Sequence, residues 1–167
     1  GGDTNRSPYL VVDVAILGEV EESRVVYRSG AKAGDELLVT GRLGGSLRSG
    51  RHLRFIPRIQ EARMITGFIR PHAMMDLSDG LSTDLTRLCQ VNGLSAELDL
   101  AEIPRRSGCS VEEALTDGED FELLLAVSHP EAGTLLSFAQ KNLRCGLHRI
   151  GRLIPKKKGA SVPLALE

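Results

Sequence analysis

A strand that runs directly into a helix is encoded by residues 73–93, AMMDLSDGLSTDLTRLCQVNG. The first five of these residues are mostly apolar and predict a short strand at 73–77. The apolar positions after Gly80 recur at helical spacing: Leu81, Leu85, Leu88 and Cys89. This spacing gives one apolar stripe on a helix that ends at Asn92-Gly93. The unit therefore predicts a βα turn with a polar connection between the two elements.

Similar signals on both sides of this unit predict the rest of a sheet and its helices. Strands are predicted at 9–17, 23–27, 36–40, 95–100, 121–127 and 148–154. Helices are predicted at 58–66, with Pro57 in the first turn, and at 130–142. The alternation of strands and helices favours an α/β or α+β sandwich in which helices cover a mixed sheet.

The composition is that of a globular protein. Of the 167 residues, 41% are hydrophobic and 26% are charged, and the apolar runs are too short to span a membrane. The chain shows no secretory leader, and its three cysteines have no CxxC spacing, which favours the cytoplasm and excludes a zinc ribbon. Aromatic residues make up 4%, without tryptophan, so a surface that stacks on nucleic-acid bases is not expected.

The charges are distributed unevenly along the chain. Residues 42–70 contain seven arginines and one acidic residue, whereas residues 76–131 contain thirteen acidic residues and three arginines. The first segment is suited to anions and the second to cations, so phosphate and a divalent metal are the first partners to consider. The alternative is that both segments are solvated surfaces that neutralise each other across the fold.

Two carboxylates lie in the βα turn, at Asp76 and Asp79. Their hard oxygen atoms suit Mg²⁺, an ion that bridges to substrate phosphates. A strand-to-helix turn also exposes the first N–H groups of the helix, which favour a phosphate oxygen, and Ser78 offers a further donor. The alternative interpretation is that Ser78 or Asp79 only caps the helix.

Three other short segments carry polar groups of interest. Three acidic residues surround one glycine in Asp117-Gly118-Glu119-Asp120. Their negative charges repel one another, so the segment either lies near a cation or hydrogen-bond donors or forms a solvated turn. Gly1-Gly2-Asp3-Thr4 offers oxygen atoms and a flexible backbone, and Arg28 could bind a phosphate. No phosphate-binding P-loop, protein-kinase signature or HExxH zinc motif occurs, and no residue is predicted to act as a catalytic acid, base or nucleophile.

Several short motifs, taken in order, resemble those of the thiamine-monophosphate kinases. They are Gly2-Asp3-Thr4, Arg28-Ser29-Gly30-Ala31-Lys32, Gly34-Asp35, Val39-Thr40-Gly41-Arg42-Leu43-Gly44, Pro57-Arg58, Met75-Asp76-Leu77-Ser78-Asp79-Gly80-Leu81 and Gly118-Glu119-Asp120-Phe121-Glu122-Leu123-Leu124. The resemblance covers residues 1–152 and implies the C-terminal fold of the aminoimidazole ribonucleotide synthetase superfamily. It implies an ATP- and Mg²⁺-dependent homodimer that converts thiamine monophosphate to thiamine diphosphate.

The resemblance also implies roles for individual residues. It implies metal ligands at Asp3, Asp76 and Asp79. It implies nucleotide contacts at Gly2, Asp3, Arg28 and Ser78, and a contact to thiamine monophosphate at Glu119. These roles agree with the residue chemistry, because phosphoryl transfer needs carboxylates that hold Mg²⁺ and donors that hold phosphates.

The chain departs from the family in its extent, because family members begin well before Gly-Gly-Asp-Thr. Residues 1–40 are therefore expected to be the terminal strands of an incomplete N-terminal nucleotide-binding domain, 41–155 a C-terminal α/β domain and 156–167 a tail. The fragment is expected to be inactive alone. Asp117 stands where the family usually has glycine, which adds a charge and removes one flexible position near Glu119. The substrate-contacting aromatic residue of the family is not recognisable in the tail. The alternatives are another ATP-dependent synthetase of the superfamily and a non-catalytic assembly module.

Overall fold

A mixed sheet of six strands runs through the computed structural model, which describes residues 8–12, 14–156 and, for the backbone alone, 164–166. The strands are β1 (Glu36–Thr40), β2 (Ala73–Leu77), β3 (Leu94–Leu98), β4 (Glu122–Val127), β5 (Leu147–Pro155) and β6 (Leu164–Leu166). Their order in the sheet is β2-β4-β1-β5-β3-β6. All neighbours are antiparallel except β3 and β6, which are parallel.

Helices cover both faces of this sheet. They are α1 (Ser46–Ser49), α2 (Ile59–Phe68), α3 (Leu81–Asn92), α4 (Val111–Thr116) and α5 (His129–Asn142). Side chains alternate between the faces along each strand, so Leu37 and Val39 pack with α3 and α4, whereas Leu38 packs with α2 and α5. The predicted sandwich of helices on a mixed sheet is confirmed. Within the described residues, no helix combines the length and apolar character needed to cross a membrane.

The predicted strands at 9–17 and 23–27 are wrong. The described residues of the first segment belong to no strand, and Leu10 and Leu17 are 93% and 98% exposed. The second segment begins in a 3₁₀-helix, Glu22–Arg24, and continues without regular structure. Residues with high β-propensity form a strand only where a neighbouring strand and a buried face are available. The described residues provide neither for the first segment. The second meets β2 through a backbone bond from Met74 N to Tyr27 O at 3.0 Å but does not extend this contact into a strand.

Two further observations bear on the predicted division of the chain. β1 falls within the predicted first segment, 1–40. In the sheet, however, it lies between β4 and β5, which belong to the predicted second segment, 41–155. The predicted tail, 156–167, contributes β6, which pairs with β3. The sheet therefore draws its strands from residues on both sides of the predicted boundaries.

Gly151 brings β5 unusually close to β3, and its replacement should be costly. Its φ is +153°, and a Cβ atom added there would lie 2.0 Å from the backbone oxygen of Glu97. We expect Gly151→Ala to lower the free energy of unfolding by about 3 kcal/mol, because neither backbone can move without breaking the sheet. Gly133→Ala in α5 is the matched control, since its Cβ would meet nothing within 4 Å. We expect the control to stabilise the protein by about 0.5–1 kcal/mol. Urea-induced unfolding measures the stability of both variants. A loss for Gly151→Ala well below about 3 kcal/mol would contradict the close approach of β5 to β3.

Candidate functional site

The two carboxylates of the βα turn are both accessible to solvent. Asp76 lies in β2 between the buried residues Met75 and Leu77, and its side chain is exposed on the opposite face of the strand. Asp79 lies in the turn before α3 and forms an ion pair with Arg87. This ion pair raises the pKa of Arg87. The predicted pair of metal ligands is thus exposed, and one of the two has a counterion from α3.

A third carboxylate, Asp84 in the first turn of α3, fixes the backbone of this turn by hydrogen bonds. It is fully buried, and its Oδ2 accepts hydrogen bonds from the backbone N–H groups of Ser78 at 3.0 Å and Asp79 at 2.9 Å. Its Oδ1 accepts a bond from Arg87 Nη1 at 2.9 Å. The N–H groups of Ser78 and Asp79 are therefore already bonded, so a phosphate at this turn would need other donors, such as the Ser78 hydroxyl.

Asp84 also corrects the simpler interpretation of the turn. The N-cap of α3 is Gly80, and among the described side chains none caps this helix. The interpretation that Ser78 or Asp79 only caps the helix is therefore wrong. Asp84 was not among the predicted site residues, although a signal exists. It follows Leu81 by three residues and so falls on the buried stripe of the helix, where an unpaired charge is costly.

A second turn, residues 117–121, packs directly against the first. The backbone N–H of Glu119 donates to Ser78 O at 2.7 Å, and the N–H of Phe121 donates to Leu77 O at 2.8 Å. Gly118 permits this approach, because its φ is +68° and a Cβ there would lie 2.9 Å from Ser78 O. The structure thus brings together the two predicted segments that contain Ser78 and Glu119, which are far apart in the sequence.

The backbone of the second turn is strained. Glu119 and Phe121 have φ values of +55° and +51°, in the left-handed region that residues other than glycine rarely adopt. Phe121 is a bulky residue for this region, and its ring stacks on Phe55 with 4.2 Å between the ring centroids. Strain of this kind persists only where the surrounding contacts impose it, and it is frequent at functional sites.

Asp120, between the two strained residues, is one of the buried charges of the fold. Its side chain accepts bonds from Gly44 N at 3.0 Å and Ser46 Oγ at 3.1 Å, and it pairs with Arg106. In the same turn, Asp117 accepts a bond from Gly45 N at 2.7 Å. The interpretation of residues 117–120 as a solvated turn is therefore wrong, since backbone N–H groups and an arginine supply the donors that these acidic residues require.

Glu122, the first residue of β4, is a further buried carboxylate. It accepts bonds from Arg58 Nε at 2.7 Å, Arg51 Nη2 at 2.7 Å and Thr40 Oγ1 at 2.9 Å. The hydrogen bond between Arg58 and Glu122 raises the pKa of Arg58, while burial and the nearby Arg106 lower the pKa of Arg51. The arginine-rich and acidic segments do neutralise each other, but they do so partly inside the protein rather than on two solvated faces.

Arg28, another predicted site residue, is not brought to these two turns. The backbone of Arg28 lies by the C-terminal end of α3, where Asn92 Nδ2 donates to Arg28 O at 2.9 Å. Asp79 lies before the opposite end of this twelve-residue helix, about 18 Å away along its axis. Gly2 and Asp3 lie outside the described residues.

The donor chemistry of the first turn is compatible with Mg²⁺ but incomplete. Asp76 and Asp79 offer exposed carboxylate oxygens, the ligand type that Mg²⁺ prefers, and this ion commonly uses only one or two protein carboxylates together with water and phosphate oxygens. Within residues 8–12 and 14–156, no three His, Cys, Asp or Glu side chains form a group that could hold a metal. Further ligands would have to come from the substrates or from outside this part of the chain.

Comparison with known proteins gives consistent results. Residues 49–162 match the family described as AIR synthase related protein, C-terminal domain. The thiamine-monophosphate kinase of Rhodopirellula baltica is 42% identical over 149 residues, which cover 82% of this chain and 46% of that protein. The chain spans about half the length of the curated relatives it matches.

Two solved structures share the fold. The thiamine-monophosphate kinase from Stenotrophomonas maltophilia K279a has a TM-score of 0.75 at 24% identity, covering 89% of this chain and 54% of its own. AaThiL complexed with AMPPCP and TMP has a TM-score of 0.66 at 26% identity, covering 84% of this chain and 50% of its own. The predicted resemblance to thiamine-monophosphate kinases is confirmed. With about two thirds of its residues matched by the domain, the chain belongs to the AIR synthase related family, of which it carries the C-terminal domain.

Proposed function

We propose that this chain is the C-terminal part of a kinase that uses ATP and Mg²⁺ to phosphorylate thiamine monophosphate to thiamine diphosphate. The observation that carries the proposal is the contact between the Ser78 and Glu119 turns, because both turns contain motifs that resemble this family. The structure of AaThiL complexed with AMPPCP and TMP supports ATP as the co-substrate, since AMPPCP is an ATP analogue.

In this proposal the protein contributes position and charge rather than a covalent intermediate. Phosphoryl transfer needs the donor and acceptor phosphates held in line and their negative charge neutralised. Asp76 and Asp79 would hold Mg²⁺, which neutralises charge on the transferring phosphoryl group. The Ser78 hydroxyl would donate to a phosphate oxygen. The carboxylate of Glu119 would contact thiamine monophosphate, whose thiazolium ring is positively charged.

The remainder of the nucleotide site would lie away from these two turns. We infer that Gly2, Asp3 and Arg28 contact the nucleotide as part of an N-terminal domain to which the exposed apolar segment at 9–20 belongs. The high exposure of Leu10, Ile16 and Leu17 supports this inference, since such side chains are normally covered in a stable protein. We also infer a cytoplasmic homodimer. Light scattering of the isolated chain tests the dimer: a discrete dimer supports it, and open aggregation indicates exposed apolar surfaces without their partner.

A kinase assay tests the proposal. The full-length protein that contains this sequence should convert ATP and thiamine monophosphate to ADP and thiamine diphosphate in the presence of Mg²⁺. The 167-residue chain alone should give no measurable turnover, because it spans about half of the relatives. Product identification by mass spectrometry separates this activity from that of an ATP-dependent synthetase. Absence of turnover in a folded full-length protein would refute the assignment, and turnover by the chain alone would refute the inactivity of the fragment.

A further inference from the structure

Asp120 lies between two residues of unfavourable backbone conformation and has no access to solvent. Glu119 and Phe121 have φ values of +55° and +51°, and Asp120 itself is 1% exposed. A buried carboxylate cannot reach a substrate, so a direct catalytic role is excluded. Because Asp120 is next to Glu119 in the chain, it can instead act by fixing the backbone conformation of Glu119.

The contacts of Asp120 fix the turn to two distant segments. Oδ2 accepts from Gly44 N at 3.0 Å, Oδ1 accepts from Ser46 Oγ at 3.1 Å, and the same oxygen pairs with Arg106. The backbone oxygen of Asp120 also accepts a bond from Arg51 Nη1 at 2.7 Å. Side chain and main chain of one residue are therefore both anchored, which leaves the neighbouring peptides little freedom to relax.

Release of Asp120 would allow the backbone on either side to return to a favoured conformation. The bond from Glu119 N to Ser78 O at 2.7 Å depends on the strained conformation, because rotation about φ of Glu119 turns the adjoining peptides. Loss of that bond would separate Glu119 from the turn that contains Ser78 and Asp79. Both turns are part of the proposed site.

We propose that Asp120 is a positioning residue, which holds the Glu119 turn in its strained conformation through Gly44, Ser46 and Arg106 and so fixes Glu119 beside Ser78. The inference rests on the proposed function, because it assumes that Glu119 contacts thiamine monophosphate. It adds to that function a buried ion pair on which binding of the acceptor substrate depends.

The test uses Asp120→Asn, which keeps the shape of the side chain and removes its charge. In the 167-residue chain, we expect hydrogen exchange of the Glu119 amide to become at least about tenfold faster, because its bond to Ser78 O opens more often. In the full-length protein, we expect KM for thiamine monophosphate to rise about tenfold, with kcat within about threefold and KM for ATP unchanged, since the loss falls on binding of one substrate.

The control is Glu97→Gln. It removes a carboxylate from an ion pair with Arg152 between β3 and β5, which β1 separates from β2 and β4. It should change neither Glu119 exchange nor KM for thiamine monophosphate. If Asp120→Asn does not fold, Arg106→Lys replaces it, because lysine keeps the charge and loses the guanidinium geometry, and the same changes are expected.

Unchanged Glu119 exchange in a folded variant would overturn the positioning role, as would an equal change in KM for both substrates. Failure of the proposed function gives a different result. In that case the unaltered full-length protein shows no kinase turnover, while the exchange of the Glu119 amide still responds to Asp120→Asn.

Discussion

Asp76→Asn in the full-length protein should lower the rate of the proposed phosphorylation of thiamine monophosphate by at least about 100-fold, because a neutral amide holds Mg²⁺ less firmly than a carboxylate does, and less of the charge on the transferring phosphoryl group is then neutralised. The melting temperature should change by no more than about 2 °C, since Asp76 is exposed on the edge strand β2 and surface substitutions have small effects. Steady-state kinetics over a range of Mg²⁺ concentrations, together with thermal unfolding, measure the two effects separately.

The matched control for this prediction is Asp99→Asn. Asp99 is also an exposed aspartate, and it follows β3, which is separated from β2 by β4, β1 and β5. The control should retain the activity of the unaltered protein. If Asp76→Asn keeps more than about a tenth of that activity, Asp76 is not a metal ligand of the reaction. If fold and activity are lost together, the role of Asp76 is structural.

Glu122→Gln should produce the largest loss of stability among these substitutions, about 3–5 kcal/mol in the free energy of unfolding. Its carboxylate accepts bonds from Arg58 and Arg51, and an uncharged amide leaves both arginines without this counterion in a largely buried location. The side chains of these two arginines are only 14% and 23% exposed, so water compensates little. Urea-induced unfolding of the 167-residue chain measures the loss.

Glu97→Gln is again the appropriate control, because Glu97 pairs with Arg152 at 2.8 Å, but that arginine side chain is 62% exposed. The control should cost less than about 1 kcal/mol, as is usual for ion pairs near the surface. Equal losses for the two variants would show that burial of the Glu122 cluster adds nothing to the strength of its ion pairs.

Local patterns predicted several elements correctly, even where the partners of these elements in the sheet are far away in the sequence. The strand and helix of residues 73–93 are confirmed as β2 and α3, and the strand at 36–40 is confirmed as β1. The segment at 9–17 has an equally strong strand pattern, but its described residues form no strand and pair with no strand of the described sheet. Pattern alone does not distinguish these cases, because a strand is stabilised by contacts across the sheet.

Some features could have been predicted from signals that the sequence does contain. Ser110-Val111-Glu112-Glu113 has the spacing of a capping box, and Ser110 and Glu113 form one at the start of α4. The buried charge of Asp84 could have been predicted from its place on the apolar stripe of α3.

The contacts that build the site could not be predicted in this way. Gly44 and Asp120 are 76 residues apart, as the hydrogen bond between them shows, and Glu122 and Arg58 are 64 apart. Spacing along the chain carries no information about contacts over such separations. The composition indicated only that the arginine-rich and acidic segments could attract each other, not that Asp120 and Glu122 would be buried where they meet.

The cluster around Asp120 and Glu122 joins segments that are distant in the sequence. Its members come from β1, from the arginines at 51 and 58, from Arg106 and from the start of β4, so they span most of the sheet domain. A partly folded chain would bury some of these charged side chains without their counterions, which is strongly unfavourable. Folding of this domain should therefore be cooperative, and a truncated piece that ends before Arg106 should lack a stable tertiary structure.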